Sequence, residues 1–350
     1  IEVGAKRLRT HKTVIATGAR AAMPPIDGLA DARPLTNETI FDLATQPQRL
    51  AILGAGPIGC ELAQSFARLG TEVHLIEQEP RVLPAEDAEA ATIVANVLQR
   101  DGVRLHLGQR IGRVTSSGVA RMLLIESGDR VDADEILVAA GRRCNIEDLG
   151  LERAGVRLTT DGAIAVNERL ATSHPDIFAA GDVCSRLQFT HNADAHARIV
   201  IQNALFMGRA RTNGLIVPWC TYTSPEVARV GLTRREAEET SNGIDVWRVE
   251  WAQMDRARTD AALEGFVEVL TEKGSDRIVG ATIVGKDAGE QIAPLLVLMN
   301  SGRGLAAIGR AILPYPTRSE YLRRLADAYN RRRFTPTVAR LFRWWLRVRR

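Results

Sequence analysis

The sequence predicts an α/β protein in which one domain of βαβ type is inserted into a second domain, followed by a smaller α+β domain. Three observations support this fold class. A strand, a glycine-rich turn and a helix follow one another near residue 50. Two short apolar strands, each ending in a small residue and glycine, flank this region near residues 15 and 180. Beyond about residue 217, strand-like segments are followed by helical segments.

The composition is that of a globular protein with enough apolar residues for more than one core. Of 350 residues, 45% are hydrophobic and 25% are charged. We find no apolar run of about 18 residues and no charged-then-apolar leader, so we expect neither a membrane span nor a signal peptide, and a cytoplasmic location. The four cysteines form no CxxC pair, so no metal site is predicted; they are Cys60, Cys144, Cys184 and Cys220.

The glycine-rich turn has the order that dinucleotide binding requires. An apolar strand, 50–53, precedes GAGPIG, and a helical segment, 61–69, follows it. The first glycine permits the tight turn, the second lets the backbone approach a pyrophosphate, and the third allows close helix–strand packing. The residues of this motif that we assign to cofactor binding are Gly54, Gly56, Pro57, Ile58 and Gly59.

A second predicted strand, 72–76, ends in an acidic residue. Glu77 lies 23 residues after Gly54, close to the spacing of about 20 at which an acid meets the adenosine ribose of a bound dinucleotide. A carboxylate there repels a 2′-phosphate, so we predict NADH in preference to NADPH. Arg81, four residues later, would soften this preference by pairing with a phosphate. The alternative is an ordinary βαβ crossover with a solvated glutamate.

Two more strands complete this predicted domain. They are 103–107 and 136–140, and the second is closed by Gly141, which we also assign to cofactor binding. The segments 122–126 and 130–134 predict a hairpin between them.

The order of the motifs ATGA, GAGPIG, AAGRR, HPDIFAAGD and YTSPEVARVG resembles that of the pyridine nucleotide-disulphide oxidoreductases. This family of flavoproteins includes dihydrolipoamide dehydrogenase, glutathione reductase and mercuric reductase. The resemblance implies that the cofactors are FAD and NAD, and that an NAD-binding Rossmann-like domain is inserted in an FAD-binding domain. The predicted boundaries are 1–38 and 162–216 for the FAD-binding parts, 39–161 for the NAD-binding domain, 217–330 for the dimerisation domain and 331–350 for a basic tail.

The resemblance also implies roles for individual residues. Asp182 would accept a hydrogen bond from a ribityl hydroxyl of the flavin, beside Gly18 and Gly181. His191 and Ala193 lie in a helix whose amino terminus would point at the flavin pyrimidine. A lone histidine at a helix start is more often a capping or packing residue. Glu61 would lie near the nicotinamide, although an acid in a first helical turn is also favoured by the helix dipole alone.

The dimerisation domain of the family ends in a His-Pro-Thr-x-x-Glu segment that completes the partner subunit's active site. Here Tyr315 replaces that histidine, and Glu320 matches the glutamate. A phenol with an ordinary pKa of about 10 is a poor base at neutral pH, which disfavours dihydrolipoamide or glutathione turnover. Mercuric reductases have a tyrosine at the matching position, but their carboxyl-terminal cysteine pair is absent from this sequence.

Two elements of the family would lie before Ile1: the GxGxxG turn for the FAD pyrophosphate and the CxxxxC redox disulfide. We therefore expect an incomplete FAD-binding domain that holds FAD weakly. The predicted function is an FAD-dependent NAD(P)H oxidoreductase, a homodimer that passes hydride from NADH through FAD to a disulfide, a metal ion or another acceptor. The alternatives are a truncated, non-catalytic nucleotide-binding or dimerisation protein, and a membrane-associated NADH:quinone-type flavoprotein.

The basic tail carries eight arginines around Trp344 and Trp345. Such a segment could touch an anionic membrane or nucleic acid. We favour instead a helix whose apolar side packs on the protein or its partner subunit, and we expect no nucleic acid partner.

Overall fold

The front of the chain forms four short strands. The computed structural model describes residues 1–118, 120–240 and 243–349. Gly4, with φ of 56°, turns the chain, so that the first two strands form an exposed antiparallel hairpin. The four strands are β1 (Glu2–Val3), β2 (Lys6–Arg7), β3 (Thr13–Ile15) and β4 (Ala19–Ala21).

A four-stranded parallel sheet follows, with the strand order β11-β5-β6-β7. Residues 50–53 of the inner strand β5 are all apolar, as expected for a strand covered on both faces, and Leu50, Ala51 and Ile52 are completely buried. The elements of this region are β5 (Arg49–Leu53), α1 (Pro57–Arg68), β6 (Glu72–Glu77), α2 (Ala88–Arg100), β7 (Arg104–Leu107), β8 (Ile111–Ser117), β9 (Ala120–Ile125), β10 (Arg130–Ala133) and β11 (Glu135–Val138).

The predicted hairpin is part of a three-stranded antiparallel sheet, β10-β9-β8. The sequence does not reveal β8, because only Val114 of its seven residues is buried and the strand therefore lacks an apolar pattern. The remaining two strands match the predicted segments to within a few residues.

The two flanking segments come together as the insertion requires. β12 (Arg142–Cys144) pairs with β4, and β13 (Ile177–Ala179) pairs in parallel with β3. The helix α3 (Thr190–Leu205) then follows. Strands on either side of the parallel-sheet domain thus join one another, so the insertion predicted from the sequence is confirmed.

The carboxyl-terminal domain contains a five-stranded antiparallel sheet, β14-β15-β18-β17-β16. Its core includes the fully buried Trp251 and Tyr321, whose rings meet edge to face at 6.0 Å. The elements are β14 (Trp219–Thr221), β15 (Glu226–Gly231), α4 (Arg234–Thr240), β16 (Ile244–Glu250), α5 (Asp255–Thr259), β17 (Phe266–Glu272), β18 (Ile278–Gly285), α6 (Ala288–Gln291), α7 (Ala293–Asn300), α8 (Leu305–Ile308) and α9 (Glu320–Arg333).

The last helix, α10 (Pro336–Val348), begins at a capped turn, where the Thr335 hydroxyl accepts from the Val338 N–H at 3.3 Å. No residue of α10 is buried, so the expected packing of its apolar side on the rest of the chain is not formed. Arg350, which the sequence places in the basic tail, lies outside the described residues. Among the residues that are described, no helix is long and apolar enough to cross a lipid bilayer.

Candidate active site

The glycine-rich turn connects β5 to α1 and has three glycines with distinct constraints. Gly54 has φ of 101°, and a Cβ there would lie 2.5 Å from the Ala139 carbonyl oxygen. A Cβ on Gly59 would lie 1.9 Å from the Gly54 carbonyl oxygen, so only glycine allows the helix to start this close to the turn. A Cβ on Gly56 would meet no protein atom within 4 Å. The space beside Gly56 is therefore open to a ligand.

The first turn of α1 presents unpaired N–H groups to this space. Gly56 is the N-cap residue and has no side chain to satisfy them, and Pro57 at the first helical position has no N–H. Ile58 and Gly59 follow in the first turn. The positive end of the helix dipole and these free donors together favour an anion such as a pyrophosphate.

Glu77 lies at the end of β6, directly beside the turn. One of its carboxylate oxygens accepts from the Ala55 N–H at 2.7 Å, and the other accepts from the Glu79 N–H at 2.9 Å. The residue is 9% exposed, and it lines the cavity next to the glycine turn. Each oxygen keeps a second acceptor position, so the carboxylate can hold the turn and still accept from a ligand hydroxyl.

This cavity has a volume of about 540 Å³ and is lined by Gly54, Gly56, Glu77 and Gly141. Gly141 has φ of 116° and no protein atom near its Cβ position. Further lining residues come from segments outside the βαβ unit, among them Ile26 and Arg110. The size suits a dinucleotide held along the carboxyl edge of the sheet.

Arg81 does not face this cavity. Its guanidinium donates to the carbonyl oxygens of Pro84 and Glu86, at 2.8 and 3.2 Å, and lines a different cavity between the two large domains. It is thus held away from the position where Glu77 would meet a ribose.

Glu61, on the outer side of α1, contacts the next domain. Its carboxylate accepts from the Tyr222 N–H at 2.8 Å, and Gln64 one turn later exchanges hydrogen bonds with the main chain of Ser224. Burial raises the pKa of Glu61 above its ordinary value, and the hydrogen bond from Tyr222 partly opposes this rise. The structure thus assigns Glu61 a position at the junction between the parallel-sheet domain and the five-stranded domain.

A second group of candidate residues lies at the carboxyl ends of β3 and β13. Gly18 and Gly181 have φ of 71° and 77°, and a Cβ on Gly181 would lie 3.1 Å from the Cβ of Ala193. Asp182 pairs with Arg142 at 2.6 Å through one oxygen, and Arg142 also donates to the Ala19 carbonyl. The other carboxylate oxygen of Asp182 accepts no hydrogen bond from the described residues, which leaves an acceptor for a hydroxyl at this edge.

His191, in the first turn of α3, neither caps the helix nor is buried. Its Nε2–H donates to the Pro218 carbonyl oxygen at 2.7 Å, and its ring stacks on Phe189 with the centroids 5.3 Å apart. It therefore packs α3 against the start of the five-stranded domain.

Tyr315 and Glu320 do not line the cavity beside the glycine turn. Tyr315 is 69% exposed, and its hydroxyl donates to Asp255 at 2.8 Å; this hydrogen bond raises the pKa of the phenol above its ordinary value. Glu320 begins α9 and pairs with Arg324. The exposure of Tyr315 leaves it free to approach a second subunit.

Sequence reasoning assigned no role to Arg142, although it follows Gly141 directly in the AAGRR segment. Its Nε is buried and has no hydrogen-bond partner. Its place directly after Gly141 is the only sequence feature that could have indicated its contact with Asp182, because Asp182 lies 40 residues away. Within the described ranges, no group of three or more His, Cys, Asp or Glu residues is arranged to hold a metal ion.

Comparison with known proteins agrees with the two cofactor-binding regions and the carboxyl-terminal domain described above. Residues 2–197 match the model of the family "Pyridine nucleotide-disulphide oxidoreductase", and residues 217–326 match that family's dimerisation domain. This chain belongs to that family. Its predicted fold and its FAD-dependent oxidoreductase class are thereby confirmed, and the dimerisation domain supports a homodimer.

Two curated relatives illustrate the range of the family. Dihydrolipoyl dehydrogenase of Thermus scotoductus is 33% identical over 338 residues, which are 95% of this chain and 72% of that protein. Mercuric reductase of Staphylococcus aureus is 32% identical over 334 residues, 95% of this chain but 61% of that protein. Among solved structures, the HOCl-induced flavoprotein disulfide reductase RclA from Escherichia coli superposes with a TM-score of 0.84 at 30% identity, covering 90% of this chain and 73% of that one.

The family uses FAD and NAD(P), so both predicted cofactor classes fit the chain. The domain boundaries, the preference for NADH, the electron acceptor and the roles of individual site residues stay predictions.

Proposed function

We propose that this pyridine nucleotide-disulphide oxidoreductase binds NADH in the cavity beside the glycine turn and passes its hydride to FAD, from which a disulfide, a metal ion or another small acceptor is reduced. The observation that carries the proposal is the buried Glu77 carboxylate, held by two main-chain N–H groups at the mouth of an open, glycine-lined anion site.

The chain's own residues divide the binding of NADH between them. The amino terminus of α1, from Gly56 onward, receives the pyrophosphate, and the missing side chain there lets the phosphate oxygens reach the N–H groups. Glu77 accepts from the ribose diol through the acceptor positions that the main chain leaves free. The dinucleotide then extends past Gly141 towards the edge that carries Gly181 and Asp182.

The preference for NADH follows from charge. A 2′-phosphate about 5 Å from the Glu77 carboxylate would cost on the order of 3 kcal/mol per unit charge at an effective dielectric constant of about 20. The Arg81 guanidinium does not offset this cost, because it is bonded to carbonyl oxygens elsewhere, whereas Arg110 lines the same cavity and would reduce the cost in part. The expected preference is at least about tenfold, after discounting for solvent and counterions.

The residues at the ends of β3 and β13 fit the role of the flavin side. Asp182 keeps one carboxylate oxygen for a ribityl hydroxyl, while Arg142 holds the other and fixes the side chain. When bound, FAD supplies two-electron chemistry between a hydride donor and an acceptor. Gly18 and Gly181 leave that edge open to close approach of a ligand.

Tyr315 limits the choice of acceptor. Its pKa is raised by Asp255, so at neutral pH the phenol is protonated and cannot take a proton from a thiol. An acceptor that needs no general base, such as mercuric ion, suits it better: NADH and Hg(II) give NAD⁺, Hg(0) and one proton. The tyrosine that mercuric reductases have at the matching position supports the same choice.

The test is an anaerobic titration of the protein, loaded with FAD, with NADH. We expect bleaching of the flavin absorbance near 450 nm, then recovery when the acceptor is added. Mercuric ion should reoxidise the protein faster than an oxidised dithiol, and Tyr315→His should narrow that difference, since an imidazole has an ordinary pKa of about 6.5. NADH that binds without bleaching the flavin would refute the proposal. Tyr315→Phe serves as the control for loss of the hydroxyl alone.

A further inference from the structure

The helix α10 has two faces of opposite character. Arg340, Arg343 and Arg347 recur at intervals of three and four residues and form one side, which we call the arginine face. The remaining, wider side of the helix, which we call the apolar face, carries large apolar residues. The residues of the apolar face are Leu341, Phe342, Trp344, Trp345, Leu346 and Val348.

The apolar face is open. Its six side chains are between 44% and 67% exposed. Inside the chain they are touched mainly by near neighbours: the ring of Phe342 lies 5.9 Å from that of Phe334, and the Arg349 guanidinium lies 4.7 Å from the Trp345 ring. Contiguous exposed apolar surface of this kind marks an interaction site.

We propose that α10 docks on an anionic phospholipid bilayer, lying in the plane of the surface with the apolar face in the acyl boundary. This inference goes beyond the proposed function and does not depend on it. The arginine face would contact the phosphate headgroups, and the indoles of Trp344 and Trp345 would sit at the headgroup level, where their polar N–H groups remain hydrated.

Charge complementarity selects this occupant. No Asp or Glu follows Asp327 in the sequence, whereas eight arginines do, so the segment attracts anionic surfaces. A second copy of α10 offers the arginine face no acidic partner, whereas an anionic bilayer offers one phosphate or carboxylate after another. Nucleic acid is the other anionic candidate. The six large apolar side chains suit a lipid surface better, because the phosphate backbone of a nucleic acid offers them no apolar contact.

The rest of the molecule would follow α10 to the membrane. The preceding helix α9 is fixed to the five-stranded domain by the ion pair of Arg332 with Asp245 at 2.7 Å and by the edge-to-face contact of Tyr329 with Trp247. Docking of α10 would thus place the oxidoreductase at the bilayer surface.

The experiment mixes the full chain with unilamellar vesicles of phosphatidylcholine containing about 30 mol% phosphatidylglycerol, at physiological salt, and measures sedimentation and tryptophan emission. We expect binding about tenfold or more stronger than to phosphatidylcholine alone, with a blue shift of the emission. The shift reports α10, because Trp247 and Trp251 are buried already and the half-buried Trp219 is held between the domains by its hydrogen bond to Glu86. Replacing Trp344 and Trp345 by Phe should abolish the shift and leave sedimentation largely intact.

Two multiple variants separate specific docking from net charge. The triple variant Arg340→Gln, Arg343→Gln, Arg347→Gln should lose about tenfold or more of the vesicle binding. A matched control that removes the same charge from exposed positions elsewhere should lose no more than about twofold. The control substitutions are Arg235→Gln, Arg303→Gln and Arg310→Gln.

The double variant Leu341→Ser, Trp345→Ser should also lose vesicle binding while NADH affinity and circular dichroism stay unchanged. Four results would overturn the proposal. They are no preference for anionic vesicles, equal losses in the control and the arginine-face variant, dissociation of the dimer by the double variant, and tighter binding of a single-stranded oligonucleotide than of vesicles. Dissociation would show that a partner subunit covers the apolar face, and oligonucleotide binding would show a nucleic acid site.

Discussion

Substitution of Gly59 by alanine tests whether the close approach of helix and turn builds the dinucleotide site. The added Cβ would lie 1.9 Å from the Gly54 carbonyl oxygen and 3.0 Å from its carbonyl carbon, both main-chain atoms that cannot rotate away. Overpacking costs about 1–3 kcal/mol, at the upper end for main-chain clashes, and the better helix propensity of alanine returns up to about 1 kcal/mol. We expect Gly59→Ala to lower the free energy of unfolding by about 2 kcal/mol and to weaken NADH binding.

Gly56→Ala is the matched control, because its Cβ would meet no protein atom within 4 Å and its φ of −71° suits alanine. The loss of an N-cap glycine should cost less than about 1 kcal/mol. The same methyl group would occupy the space of the pyrophosphate, so NADH affinity should fall about tenfold or more, about 1.4 kcal/mol.

Urea unfolding and fluorescence titration with NADH measure the two effects separately. The reasoning predicts that Gly59→Ala changes both quantities and that Gly56→Ala changes mainly the affinity. Wild-type NADH affinity in Gly56→Ala would show that no phosphate approaches this turn. Wild-type stability in Gly59→Ala would show that the helix does not start as close to the turn as the structure has it.

Three further predictions concern other parts of the molecule. A side-chain hydrogen bond from Arg20 lowers the pKa of Glu147 to about 2, so this pairing is present above the ordinary pKa of 4.5 and is lost as the pH falls through about 2. Arg20→Gln should return the pKa of Glu147 towards 4.5 in an NMR titration. An unchanged pKa would contradict the pairing. Asp182→Asn should lower the free energy of unfolding, measured by urea denaturation, by about 1–3 kcal/mol, because the half-buried Arg142 loses its carboxylate partner. A change under about 0.5 kcal/mol would count against that ion pair. Light scattering at micromolar concentration should give twice the chain mass, since the dimerisation domain is present, whereas a stable monomer would be inconsistent with it.

The elements whose signals are local could be predicted from the sequence. The β5–turn–α1 unit follows from glycine positions that each have one steric reason, and the structure has these residues where the sequence places them. The insertion could also be predicted, because two apolar strands that both end in glycine and flank the βαβ region indicate a single sheet interrupted by another domain. β3 and β13 pair as this predicts.

Contacts between distant segments could not be predicted. Glu61 meets Tyr222 across 161 positions, and no periodicity connects the two residues. The ion pair of Arg142 with Asp182 could not be predicted for the same reason. β8 was missed because its residues are mostly exposed and polar, so its strand character comes from pairing with β9 rather than from an apolar pattern.

The measurement that tests the central claim most directly is a parallel titration of the protein with NADH and NADPH, repeated with Glu77→Gln. Glutamine removes the charge and keeps an acceptor oxygen for one of the two main-chain N–H groups, while its NH2 group faces the other, so urea unfolding of the variant accompanies the titration. The account predicts NADH affinity at least about tenfold above that of NADPH, and a clearly smaller ratio in the variant. Equal affinities for the two nucleotides in the unmodified protein would contradict the claim that Glu77 reads the ribose.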